Sequence, residues 1–339
     1  MKRTLFVAFL LATLAITAQA QSGAVLLNAA GATFPYPIYS KWFDVYHTAH
    51  PDVQINYQSI GSGGGIRQLL AGTVDFGASD GPMSDDQLAQ AKFKILHFPT
   101  VLGAVVPTYN IPGVSGELNF TQKAMAAIYL GQITKWNDPE IAKANPGVKL
   151  PNADIVVVHR SDGSGTTYIF TDFLAKTSDE WKNKVGKGTS VNWPVGLGGK
   201  GNEGVTGLVK QTPGSVGYIE LIYAVQNNIP YGKVQNAAGK FVKADLAGVT
   251  AAAAGSGKEI PDDFRVSIAN APGATSYPIS SFTWLLIPAQ IQDAKKRDAI
   301  KGFLKWMLND GQNYNEGLSY ARLPKLVVGK ELKAISLIQ

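Results

Sequence analysis

The chain of 339 residues contains no cysteine. This absence excludes a disulfide framework, a thiolate metal site and the lipidated cysteine that anchors many exported proteins. Histidine is scarce, at four residues. His47 and His50 share a helix face, but that spacing falls short of a metal site, so packed or solvated imidazoles and no metal or cofactor are expected. Beyond residue 20 no stretch approaches the roughly 20 unbroken apolar residues that a membrane-spanning helix needs. Lys and Arg are scattered, without the clustered basic stripe that nucleic-acid binding demands.

What the chain does have begins at its N-terminus. Lys2 and Arg3 precede an apolar run from Leu5 to Ile16, and Ala18-Gln19-Ala20 supplies small residues for cleavage. This three-part pattern predicts a secretory signal over residues 1–20, cleaved near Ala20, and a free periplasmic protein starting near Gln21. Cleavage lowers the formal net charge from +6 to +4, because residues 1–20 hold Lys2 and Arg3 and no acid. A weakly basic balance steers anions mildly. The roughly 320 residues that remain exceed what one core comfortably supports, so two lobes are expected.

Short β-rich runs (VQINYQSI, VDFGAS, ILHFPTVLGAVVPTYN, IVVVHR, SVGYIE, SSFTWLLIP) alternate with amphipathic segments. In one of these, Ile38, Trp42, Val45, Tyr46 and Ala49 recur at helical spacing. The alternation predicts an α/β fold, each lobe a mostly parallel sheet flanked by helices. Phe98–Tyr109 and Tyr277–Pro288 read as extended crossovers, which makes lobe I residues 21–105 with 280–339 and lobe II residues 106–279. The segment from Gly248 to Gly257, with its AAAAGSG, reads as a flexible surface excursion.

One local device occurs three times. Ala30-Gly31-Ala32-Thr33-Phe34-Pro35 leads into a helical pattern, Ile60-Gly61-Ser62-Gly63-Gly64-Gly65 opens IRQLLAG, and Arg160-Ser161-Asp162-Gly163-Ser164-Gly165-Thr166-Thr167 follows IVVVH. A helix start carries unpaired backbone N–H groups and the positive end of the macrodipole, so it attracts anions. Glycine admits the ligand close to the backbone, and Ser or Thr hydroxyls add uncharged donors. Arg160 adds a planar fork suited to a tetrahedral oxyanion, and Asp162 is placed to hold that guanidinium. Any one such turn is ordinary in α/β folds. Three, one of them with an arginine, point to oxyanion binding.

Asp80, in Val74-Asp75-Phe76-Gly77-Ala78-Ser79-Asp80-Gly81, has two readings. A carboxylate beside an anion site repels the ligand unless a proton lies between them, which would admit phosphate and reject sulfate. Alternatively, Asp80 caps the turn that contains Pro82 and Ser84.

Together AAGATFPYPIY, IGSGGGIRQL, TVDFGASDGPMS, HRSDGSGTTYIFTDFL and GLGGKGNEG closely resemble the periplasmic phosphate-binding proteins of bacterial Pst-type phosphate ABC transporters. The likeness runs through nearly all of the mature chain, including AIYLGQITKWNDPEIAKANPG. It implies a type II periplasmic-binding-protein fold, with two α/β lobes, two crossover strands and one phosphate clamped in the cleft. It further implies that Thr33, Phe34, Ser62, Asp80, Arg160, Ser164, Gly165 and Thr166 bind phosphate, with Asp162 orienting Arg160. The implied partners are the permease and ATPase subunits of the transporter, and the implied state is a monomer. Gly63 departs from the family, where serine is frequent.

Enzymatic readings fare worse. Gly77-Ala78-Ser79-Asp80-Gly81 matches the nucleophile elbow of α/β-hydrolases, but only His97 and His159 follow Ser79, and Pro82 opposes an immediate helix. Gly196-Leu197-Gly198-Gly199-Lys200-Gly201 matches a dinucleotide fingerprint with Glu220 at a suitable distance, yet Pro194 interrupts the preceding strand pattern. It reads instead as a glycine-rich loop near the cleft or hinge. The clustered Asp/His ligands of a metal phosphatase are missing. No enzymatic activity is expected.

Overall fold

The computed structural model describes residues 24–114, 116–256 and 260–339. The expected signal segment 1–20 lies outside the described residues. The strands run in chain order as β1 (Val25–Gly31), β2 (Val53–Ser59), β3 (Phe76–Ser79), β4 (Ile95–Asn110), β5 (Asn119–Phe120) and β6 (Val156–Arg160). They continue as β7 (Leu197–Gly199), β8 (Ser215–Glu220), β9 (Lys233–Gln235), β10 (Phe241–Val242) and β11 (Ser280–Pro288). Among the described residues, eight of them form one sheet in the order β2-β1-β3-β11-β4-β8-β6-β7, and β10-β9-β5 form a small second sheet.

The large sheet has two parallel ends and an antiparallel middle. β1 pairs in parallel with β2 and β3, and β6 with β7 and β8. Each end is the core of one lobe. β4 belongs to both: it pairs with β11 from Ile95 to Ala104 and with β8 from Val105 to Asn110. Fifteen of its residues are buried and only Asn110 is half-buried, which is why its sequence is nearly continuous in apolar residues. The two segments expected as crossovers fall on β4 and β11, hydrogen-bonded to each other; β4 reaches β8 of the second lobe, while β11 pairs with β3 and β4. Their ladder shifts register between Thr283 and Trp284, opposite Val101 and Pro99. Pro99 has no N–H to give a ladder, and a bulge beside it removes the need. The shift also aims Thr283 at the site described below.

The helix Tyr36–Ala49 buries Ile38, Tyr39, Trp42, Phe43 and Tyr46. The apolar stripe is thus rotated from the expected one: Val45 is half-buried and Ala49 exposed. Tyr39 and Phe43 displace them because their rings pack on Tyr57, and Phe43 also on Phe303. A second correction concerns the alanine-rich segment. Leu246–Gly255 is a helix with Gly248, Val249 and Ala252 buried, started by Asp245, whose side chain accepts the Gly248 N–H. Alanine is the strongest helix former, and a capped start outweighs the small residues that suggested a loop. Gly257 lies outside the described residues.

Glu331, on the helix Lys325–Ala334, is fully buried, and among the described residues neither carboxyl oxygen has a hydrogen-bond partner. Burial holds its pKa well above the usual carboxylate range. Such an acid supports the fold best below its unfolded-state pKa, and stability falls as pH rises from there toward the folded-state value. Glu331→Met is expected to stabilise the protein by about 1–3 kcal/mol near pH 8, with a smaller gain at pH 5. Melting temperatures across that range check this; a gain independent of pH would refute the titration.

Candidate anion-binding site

The three glycine-hydroxyl turns lie at the carboxyl ends of parallel strands, where α/β sheets place their ligands. β1 feeds Ala32–Pro35 and the helix Tyr36–Ala49, β2 feeds the helix Ser62–Ala71, and β6 feeds the helix Gly165–Thr177. Gly61 turns the second strand into its helix at φ 87°, a backbone angle that favours glycine. Ser164 caps the third helix by accepting the Thr167 N–H at 3.0 Å. Thr33, Phe34, Ser62, Asp80, Arg160, Ser164 and Thr166 are all buried, none more than 3% exposed.

The two lobes are closed on one another. Gly63 N–H donates to the Gly163 carbonyl at 2.8 Å, and the Tyr223 hydroxyl donates to the Thr33 carbonyl at 2.6 Å. Gly63, the departure from the family pattern, fits this contact. A β-carbon there would lie 3.0 Å from Gly163 Cα and would press the turns apart. Gly165 is tighter still: a β-carbon would strike Ser62 Oγ and the Asp80 side chain, both on the opposite lobe. Gly165→Ala is therefore expected to weaken anion binding at least about tenfold and to hold the lobes apart. Calorimetry and the change in radius of gyration on adding phosphate measure the two effects. Wild-type compaction in the variant would refute the steric reading.

Arg160 and Asp162 form a bidentate pair, Nε to Oδ1 at 2.8 Å and Nη2 to Oδ2 at 2.6 Å. Burial works to raise the Asp162 pKa, but Arg160, through hydrogen bonds and charge, together with the Gly201 N–H, brings it below the usual value. The remaining Arg160 nitrogen, Nη1, donates to Thr166 Oγ1 at 3.3 Å. Arg160 is thus fixed as a planar donor with its charge balanced locally.

Asp80 accepts a 2.7 Å hydrogen bond from Thr283 on Oδ1, and its Oδ2 lies 3.5 Å from Ser62 Oγ. Burial pushes its pKa up to about 7, against the Thr283 hydroxyl, the Arg160 charge and the Ser62 hydroxyl, which pull it down. The capping alternative fails, because Ser84 caps the following helix Asp85–Ala89 in a box with Gln87. A buried acid whose pKa is raised to about 7, beside hydroxyl donors and the Arg160 charge, suits an anion that brings its own proton.

Three further residues enter the site. Thr283 was invisible in the sequence because it sits mid-strand in SSFTWLLIP with no local motif. Tyr218, whose hydroxyl takes the Arg160 N–H at 3.1 Å, was equally hidden. Asn202 lay within the motif GLGGKGNEG, one residue past the glycine-rich loop Gly196–Gly201 placed near the cleft or hinge, and that signal could have found it. The loop opens the helix Gly201–Gln211, and Asn202 reaches both Thr33 and Thr166. The hydrolase elbow does not assemble. Ser79 Oγ donates to the Gly81 carbonyl at 2.5 Å, His97 Nε2 accepts the Met83 N–H, and His159 Nδ1 lies against the Arg160 carbonyl.

A family model for a PBP superfamily domain matches residues 18–311. The phosphate-binding protein PstS of Xylella fastidiosa (strain Temecula1) is 46% identical over 315 residues, covering 93% of this chain and 85% of the relative. That of Pasteurella multocida is 44% identical over 330 residues, covering 97% and 94%. The structure of a phosphate-binding protein from Stenotrophomonas maltophilia superposes with a TM-score of 0.70 at 18% identity, over 91% of this chain and 94% of that one. The chain belongs to the PBP superfamily and, within it, to the family of the phosphate-binding protein PstS.

Proposed function

We propose that the protein captures inorganic phosphate between its lobes in the periplasm and delivers it to the permease and ATPase subunits of a phosphate ABC importer. The observation that carries this reading is Asp80: a buried carboxyl inside a constellation of anion donors, tolerable when ionised only for an oxyanion that keeps a proton. The names of the relatives support the ligand. Thr33 and Ser62 would donate by hydroxyl and Phe34 by backbone N–H from one lobe. Arg160, Ser164, Gly165 and Thr166 would donate from the other, with Asp162 holding the guanidinium. The lobes would divide at 105/106 and 279/280, the first within a residue of the point between Ala104 and Val105 where β4 exchanges β11 for β8.

Export through the N-terminal signal completes the proposal, and it agrees with the finding that, among the described residues, no helix is long and apolar enough to cross a membrane. Release and capture change no covalent bond; phosphate is carried, not converted. An open form binds phosphate on one lobe, and closure recruits the donors of the other, so the ligand favours the closed state in proportion to contacts made only there. The test is calorimetric titration of protein stripped of ligand by reversible unfolding, with phosphate and sulfate in parallel. One-to-one phosphate binding with silent sulfate is expected. Equal binding of both anions would remove the role given to Asp80, and binding of neither would remove the function.

A further inference from the structure

Asn202 is fully buried at the start of the helix Gly201–Gln211. Its Oδ1 faces the Glu220 N–H at 2.9 Å. A backbone N–H can only donate, so the facing atom is the amide oxygen and the NH2 end must point the other way. There Nδ2 donates to Thr33 Oγ1 at 2.8 Å and to Thr166 Oγ1 at 3.1 Å. Thr33 Oγ1 also accepts the Asn202 backbone N–H at 3.2 Å, and Thr166 Oγ1 also accepts Arg160 Nη1 at 3.3 Å.

Each threonine oxygen therefore accepts two N–H donors, which fills its two lone pairs. Each hydroxyl hydrogen is left over, and among the described residues neither is given to a protein acceptor. The two threonines come from opposite lobes, and Glu220 lies where β8 pairs with β4 at the change of partner. One side chain thus spans both lobes and the end of β8 that pairs with the joining strand β4.

We propose that Asn202 is a positioning residue that locks the hydroxyls of Thr33 and Thr166 as donors toward the anion and couples that alignment to lobe closure. The inference rests on the phosphate reading above. A hydroxyl free to rotate offers an anion a lone pair as readily as a proton. Saturating its acceptor side removes that choice before the ligand arrives, which lowers the ordering cost of binding.

The experiment is a double-mutant cycle on ligand-stripped protein, read by phosphate calorimetry. Asn202→Ala is expected to weaken phosphate by roughly 50-fold. In a Thr33→Val/Thr166→Val background the same change is expected to cost less than about threefold, because the hydroxyls it aligns are gone. Asn202→Leu, which keeps the side-chain volume, is run beside it, and thermal melts of the stripped proteins separate misfolding from misalignment. Equal losses in both backgrounds would make Asn202 merely structural and overturn the proposal, as would wild-type affinity in a folded Asn202 variant. Wild-type protein that ignores phosphate would instead remove the functional reading itself, and the inference with it. Phosphate binding by wild type, lost in Arg160→Ala and kept in the Asn202 variants, would remove the inference alone.

Discussion

Arg160→Ala is expected to weaken phosphate binding by about 10³-fold or more. The magnitude follows from two losses that reinforce each other. The first is the guanidinium as a charged, oriented donor. The second is what stays behind: Asp162, held by Arg160 through two hydrogen bonds, would face the anion as an uncompensated carboxylate. Breaking one partner from a buried pair costs about 3–5 kcal/mol, more than the pair contributes as a whole. Asp162→Ala in the same protein is therefore expected to recover part of the loss, which a pure loss of charge would not allow. Arg160→Lys keeps the charge but not the fork and belongs between wild type and alanine. Calorimetry of the four proteins decides. Unchanged affinity in Arg160→Ala would overturn the whole site assignment, and no recovery in the double variant would overturn the account of its size.

The second large effect concerns selectivity. Asp80→Asn is expected to raise sulfate affinity by about 10²-fold or more, since it replaces a like-charge contact with one that can donate or accept. Phosphate should change far less, because the amide oxygen still accepts its hydroxyl. The pKa of Asp80, raised by burial to about 7, adds a test in pH. Above that value the carboxyl is ionised and repels sulfate; below it the carboxyl is neutral and the repulsion is gone. Sulfate affinity of the unaltered protein should then fall by about tenfold per unit above pH 7 and level off below it. The Asp80→Asn protein should show no such slope. A flat profile in both, or sulfate exclusion that survives the substitution, would mean that shape or donor count, rather than the proton, selects the anion.

The parts of the site that were legible in the sequence share one property. Arg160 to Thr167 announces its chemistry because a strand end, glycines, a capping serine and an arginine all act within eight residues. Helix capping, positive φ at Gly61 and the donor character of a helix start are set by neighbours in the chain, so motif and local geometry coincide. The misses lack that property. The face of the helix Tyr36–Ala49 was misplaced because Tyr57 and Phe303, distant in sequence, decide which side is covered. The alanine-rich stretch read as loose because composition was weighed above the Asp245 cap.

Sequence by itself determined that the chain is an α/β protein bearing three glycine-hydroxyl turns that open helices, one of them charged, and that its likeness lies with phosphate-binding proteins. Local geometry and hydrogen-bonding capacity are written residue by residue, and no long-range contact is needed to read them. Tertiary structure alone decided that the three turns meet at one point and that the lobes close through Gly63 and Gly163. It alone decided that burial raises the Asp80 pKa to about 7 and that Asn202 and Thr283 hydrogen-bond residues of the candidate site. Those properties depend on burial and on distances between residues as many as 203 positions apart. Desolvation and hydroxyl orientation are properties of a place in space, and only the folded chain makes that place.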